Sequence, residues 1–69
     1  MEITTTNGYR AVDTYDVDTS TSNIDVYDER NGGKYLGYLE NRTIEGTYSN
    51  ENDEVDMELL ENAIEDNLI

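Results

Sequence analysis

Carboxylates are the only reactive side chains in this sequence that recur in a regular pattern. In the last third of the chain, NDEVDMELLENAIEDNLI, Glu54, Glu58, Glu61 and Glu65 follow one another at steps of four, three and four residues. At about 100° per residue, that spacing puts the four within about 60° of one another on a helix, as a stripe roughly 16 Å long. Asp53, Asp56 and Asp66 thicken it, and no Lys or Arg follows Arg42. The stripe works against the helix that carries it. Like charges three or four residues apart cost about 0.2 to 0.5 kcal/mol per pair, and Glu65 and Asp66 oppose the negative end of the helix dipole at about 0.3 to 1 kcal/mol each. A chain this short has about 3 to 5 kcal/mol of core stability to set against that. The stripe is therefore either tolerated on a solvated face or kept for what it binds.

Other chemistry is poorly provided for. The chain has no His and no Cys, so the commonest general base and the strongest nucleophile are both missing. Lys34 follows two glycines but lacks the spacing of a phosphate-binding loop, and its surroundings read as a hairpin turn. Paired carboxylates do acid and base work only in a concave site that sets their pKa values apart. From Asp18 to Glu29, acids and serines fall superficially as in the calcium loop of an EF-hand. Asn23 stands where the turn glycine belongs, however, and the flanks alternate like strands. The expectation is a protein that is not an enzyme, with no catalytic residues, no cofactor and no metal site.

Seventeen acids against four bases give a net charge of −13. The charge is polarised: residues 1–42 hold eight acids and all four bases, whereas residues 43–69 hold nine acids and no base. Such a field repels nucleic acid and anionic membranes and attracts basic proteins. With no cysteine, no signal-peptide pattern and no apolar run of transmembrane length, the expected location is the cytoplasm. Adaptation of the whole surface to high salt is a competing account of the acids. It does not explain why the charge favours one end.

The elements that position these groups can be read from periodicity. Residues 9–17, 23–29 and 34–40 alternate as strands, and 43–48 carries a weaker alternation through Ile44, Gly46 and Tyr48. Residues 18–23 are a polar turn. Asn31-Gly32-Gly33 is a hairpin turn, because Asn and Gly accept the positive φ it needs. Gly37 marks a bulge or a close approach of the helix. Residues 53–68 form an amphipathic helix capped by Asn52 or Asp53, with Leu59, Ala63, Leu60, Ile64, Met57 and Leu68 on its apolar face. The expectation is one α+β domain over 1–69, a three- to four-stranded antiparallel meander with a C-terminal amphipathic helix packed on one face. The core is thin enough that homodimerisation is open.

Carboxylates on a rigid helix can imitate the phosphates of a nucleic-acid strand, which are spaced about 3.4 Å apart along the axis. The stripe is sparser, at about 4.5 to 6 Å per step. A second acidic patch comes from Asp13, Asp16, Asp18, Asp25, Asp28 and Glu29 in the first two strands and their turns, with tyrosines among them that can stack as bases do. In size, charge and α+β layout over the whole chain, the sequence resembles the small acidic phage-encoded inhibitors of anti-CRISPR and anti-restriction type that mimic DNA or RNA. No motif carries the resemblance, so no functional residue transfers. It implies a partner that is a basic nucleic-acid-binding protein, a nuclease or CRISPR effector complex of the host cytoplasm, blocked without direct contact to nucleic acid. A related alternative is an antitoxin or immunity protein covering a toxic nuclease.

Overall fold

A computed structural model describes residues 1–69. Its four antiparallel strands, β1 (Glu2–Thr4), β2 (Tyr9–Asp16), β3 (Thr21–Asp28) and β4 (Lys34–Leu39), lie side by side in chain order. Two helices follow, α1 (Ile44–Thr47) and α2 (Met57–Leu68), which makes the chain an α+β meander with its long helix at the C-terminal end. No helix is long and apolar enough to cross a membrane.

Period-two alternation puts Tyr9 and Ala11 of β2, Ile24 and Val26 of β3 and Leu39 of β4 on one face of the sheet. Ile44 and Tyr48 of the α1 region and Leu60 and Ile64 of α2 close over them, so that one cluster of nine buried residues forms the core. Two of these are tyrosines, whose hydroxyls need partners once buried. Each is near an arginine: Arg30 Nη2 donates to Tyr9 Oη at 3.4 Å, and Arg42 Nη1 to Tyr48 Oη at 2.8 Å.

The hairpin turns at Asn31-Gly32-Gly33, where the two glycines take positive φ of 66° and 77°, while Asn31 does not and ends a 3-10 turn over Glu29–Asn31. Both readings of Gly37 hold. The β3–β4 register slips between Val26 and Tyr27, where Leu36 is the extra residue, and Gly37 has φ 134° with a Cβ position 3.1 Å from Leu68 Cδ2. Because of this bulge Tyr35 pairs with Tyr27 on the face away from the core, half-exposed.

Residues 43–48 are not a strand. Thr43 Oγ1 accepts the Gly46 N–H at 2.9 Å and Asp13 Oδ1 accepts the Ile44 N–H at 2.9 Å, so a single capped turn of helix drops Ile44 into the core. The fourth strand is β1, which pairs Ile3 with Ala11. The hairpin turn between β2 and β3 is also shorter than expected, because Thr21, Ser22 and Asn23 pair within the sheet.

The C-terminal helix begins at Met57, not at residue 53. Asp56 is its N-cap, with Oδ1 accepting the Leu59 N–H at 3.1 Å, whereas Asp53 has a left-handed φ of 60° in the connector. An isolated bridge between Ser49 and Val55, with Asp56 N–H donating to Tyr48 O at 2.7 Å, holds that connector against the core. The buried face of α2 is centred on Leu60 and Ile64 and includes Glu61, while Leu59 is turned outward.

Candidate partner-binding surface

These boundaries break the predicted stripe of four glutamates. Glu54 lies before the helix, and Glu61 is only 8 % exposed. Its Oε2 accepts the Asn7 backbone N–H at 3.0 Å, which fastens α2 to the turn after β1. What remains exposed on α2 is Glu58, Glu65 and Asp66, with Asp53 and Glu54 exposed in the connector just before it. Glu51 joins this group, a residue the helical spacing did not single out because it lies off the periodic segment. Asp56 is half-buried and occupied as the N-cap.

The second predicted patch also divides. Asp13 pairs with the Met1 ammonium at 3.3 Å, Asp28 with Arg30 at 3.8 Å, and Glu29 with Arg10. Asp16, Asp18 and Asp25 have no such partner. Asp16 and Asp25 line a cleft of about 470 Å³ on the sheet near the β2–β3 turn, together with Glu40, Tyr15 and Tyr38. The order of residues along the chain does not reveal Glu40 and Tyr38 as neighbours of Asp25. The strand register does, since it pairs Asp25 with Tyr38.

The cations explain the polarity of the surface. Arg10 is held by Glu29 and Glu2 and lies over the Tyr27 ring, Arg30 is held by Asp28 near the Tyr9 ring, and Arg42 donates to Tyr48 Oη and to the Glu40 carbonyl. Arg10 and Arg30 thus serve the sheet and its turns, and Arg42 ties the end of β4 to Tyr48 at the end of α1. Hydrogen bonding to Glu29 pushes the Arg10 pKa further up, opposed by partial desolvation. Of the 17 acids only Glu2, Asp13, Asp28 and Glu29 sit in ion pairs, so thirteen carry charge that no cation within the chain offsets.

No group of three or more acidic side chains is gathered closely enough to hold a metal ion. Residues 18–29 run from the hairpin turn along β3, without the flanking helices of a calcium loop. Comparison with protein families, with curated proteins and with solved structures gives no match for this chain.

Proposed function

We propose that the protein is a non-enzymatic inhibitor that occupies the nucleic-acid-binding surface of a basic host protein, a nuclease or CRISPR effector complex, in the host cytoplasm. The observation that carries this reading is the separation of charge within the fold. Arg10 and Arg30 are engaged by the sheet and its turns and Arg42 by Tyr48 and the Glu40 carbonyl, while Glu51, Asp53, Glu54, Glu58, Glu65 and Asp66 are exposed along α2 and its connector with no cation among them. A groove that has evolved to bind phosphates supplies arginines and lysines whose charge such a surface satisfies. The four-glutamate stripe is not its basis, because Glu61 is spent on the fold.

The test is a pull-down from host lysate followed by inhibition assays with the recovered protein. The variant Glu58→Gln/Glu65→Gln/Asp66→Asn removes three exposed charges and leaves Glu61 in place. Loss of inhibition with an intact fold supports the reading. Inhibition within a few-fold of wild type, or recovery of generally basic proteins alone, overturns it.

A further inference from the structure

The face of the sheet opposite α2 carries no other element, and two cross-strand rows cover it. In the first, Arg10, Tyr27 and Tyr35 stand side by side across β2, β3 and β4. The Arg10 guanidinium lies 4.4 Å from the Tyr27 ring centroid, and the Tyr27 and Tyr35 rings are 5.4 Å apart. In the second row Val12, Asp25 and Tyr38 are aligned in the same way. Beyond it opens the cleft between Tyr15, Tyr38, Asp16, Asp25 and Glu40, which no lysine or arginine lines.

Twice in this chain a guanidinium lies over a tyrosine ring with a carboxylate beside it: Arg10 on Tyr27 with Glu29, and Arg30 at 5.3 Å from Tyr9 with Asp28. Tyr38 has the same acidic company, with Asp25 opposite it in the register and Glu40 two residues on, but no cation. Tyr38 is 52 % exposed. From this aromatic face and its unbalanced charge we infer that the cleft receives an arginine side chain of a partner protein, its guanidinium against the Tyr38 ring and paired with Asp25 and Glu40. A second copy of the chain would bring the same carboxylates to the face, and a nucleic acid would bring phosphates, so charge complementarity selects a basic protein segment. The inference rests on the reading of a basic partner and adds a contact on the far side of the sheet.

The experiment titrates the 15N-labelled protein, in separate samples, with acetylated hexaarginine amide, with hexalysine amide and with a single-stranded oligonucleotide. Hexaarginine is expected to shift the resonances of Asp25, Tyr38 and Glu40, and to bind more tightly than hexalysine. Tyr38→Ala is expected to weaken hexaarginine binding by about two- to fivefold, and Tyr38→Phe to restore most of it. The α2 variant Glu58→Gln/Glu65→Gln/Asp66→Asn should leave the shifts at the cleft in place. Shifts confined to α2, or equal binding of the two peptides with no effect of Tyr38→Ala, overturn the cleft while leaving the α2 surface standing. Cleft shifts that the oligonucleotide reproduces, or that appear on raising protein concentration alone, overturn it in favour of nucleic acid or of a second copy. If neither peptide shifts either face, both readings fall.

Discussion

Glu61 on α2 accepts the Asn7 backbone N–H at 3.0 Å, so an acid with the spacing of a surface stripe is a strut between the helix and the turn after β1. Gln keeps an acceptor of the same reach, whereas Ala leaves a half-buried N–H without one. Glu61→Gln is expected to cost under about 1 kcal/mol and Glu61→Ala about 1 to 3 kcal/mol, since hydrogen bonds to charged acceptors are the stronger ones. Urea denaturation with both variants checks this. Equal stability of Glu61→Ala and wild type would show that the strut carries nothing.

The same helix predicts the opposite sign four residues on. Glu65 and Asp66 lie in the last turn of α2, where exposed negative charge opposes the helix dipole and no base is present. Glu65→Gln with Asp66→Asn is expected to raise stability by about 0.3 to 1 kcal/mol per site. The weak 3.5 Å contact from Asn7 Nδ2 to Glu65 Oε1 is kept by Gln. Thermal unfolding at low salt reads the gain, and a loss would show that these acids are structural.

Asp13 interrupts an otherwise strand-like run of residues and earns its place through two bonds: Oδ1 to the Ile44 N–H at 2.9 Å and Oδ2 to the Met1 ammonium at 3.3 Å. Asp13→Ala removes the acceptor at the start of α1, and the expected cost is about 1 to 3 kcal/mol. Hydrogen exchange at Tyr48 and Thr47 should accelerate first, because both donate into that turn. Unchanged exchange there would contradict the role.

These bonds also mark where the sequence was legible. The Asn-Gly-Gly turn and the double role of Gly37 follow from backbone sterics, which are local, and the alternation of β2 and β3 follows from one buried sheet face. The turn of helix at residues 44–47 was not legible, because its local cap, Thr43, also fits a strand, and what settles it is the Ile44 N–H held by Asp13 on a distant strand, which overrides the local alternation of Ile44, Gly46 and Tyr48. β1 is three residues long and gains its identity only by pairing with β2. On the surface, the sequence reading named all three exposed acids of α2, Glu58, Glu65 and Asp66, but missed Glu51 in the connector and could not tell Glu61 from Glu65. That difference arises from which side of the helix meets the turn at Asn7. Tyr38 and Glu40 became neighbours of Asp25 only through the register of β4.

Gly37 offers a direct test of how α2 seats on the sheet. Its φ of 134° is open to glycine, and a Cβ there would sit 3.1 Å from Leu68 Cδ2. Gly37→Ala therefore combines backbone strain with a side chain that must yield, for an expected loss of about 1 to 3 kcal/mol. Gly32→Ala has open space around it, and the comparison of the two separates strain at positive φ from crowding by Leu68.

Tyr35 gives the alkaline limb of stability. Partial burial, and then the hydrogen bond its hydroxyl donates to Asp25 Oδ1 at 3.1 Å, push its pKa up. The fold thus favours the neutral phenol. That contribution is fully present below the ordinary tyrosine value of about 10 and is lost as pH rises through the raised folded value. In a spectrophotometric titration Tyr35 should ionise late, and Tyr35→Phe should remove that late step and flatten the alkaline loss of stability. A titration unchanged by Tyr35→Phe would contradict the assignment.

Salt separates a binding surface from an adaptation to brine. If the unpaired acids act on a basic partner, the complex should form fast at low ionic strength and weaken steeply as the Debye length falls from about 10 Å at 0.1 M to about 3 Å at 1 M. The fold itself should hold in dilute buffer, because its core is a closed cluster of nine residues and its buried tyrosines have arginine partners. A protein adapted to high salt behaves in the reverse way and folds only when molar salt screens thirteen unpaired acids from one another. Circular dichroism at 0.05 M and 2 M salt, beside partner binding at the same concentrations, distinguishes the two. Folding that requires molar salt would return the acids to the solvent and remove the ground for a partner.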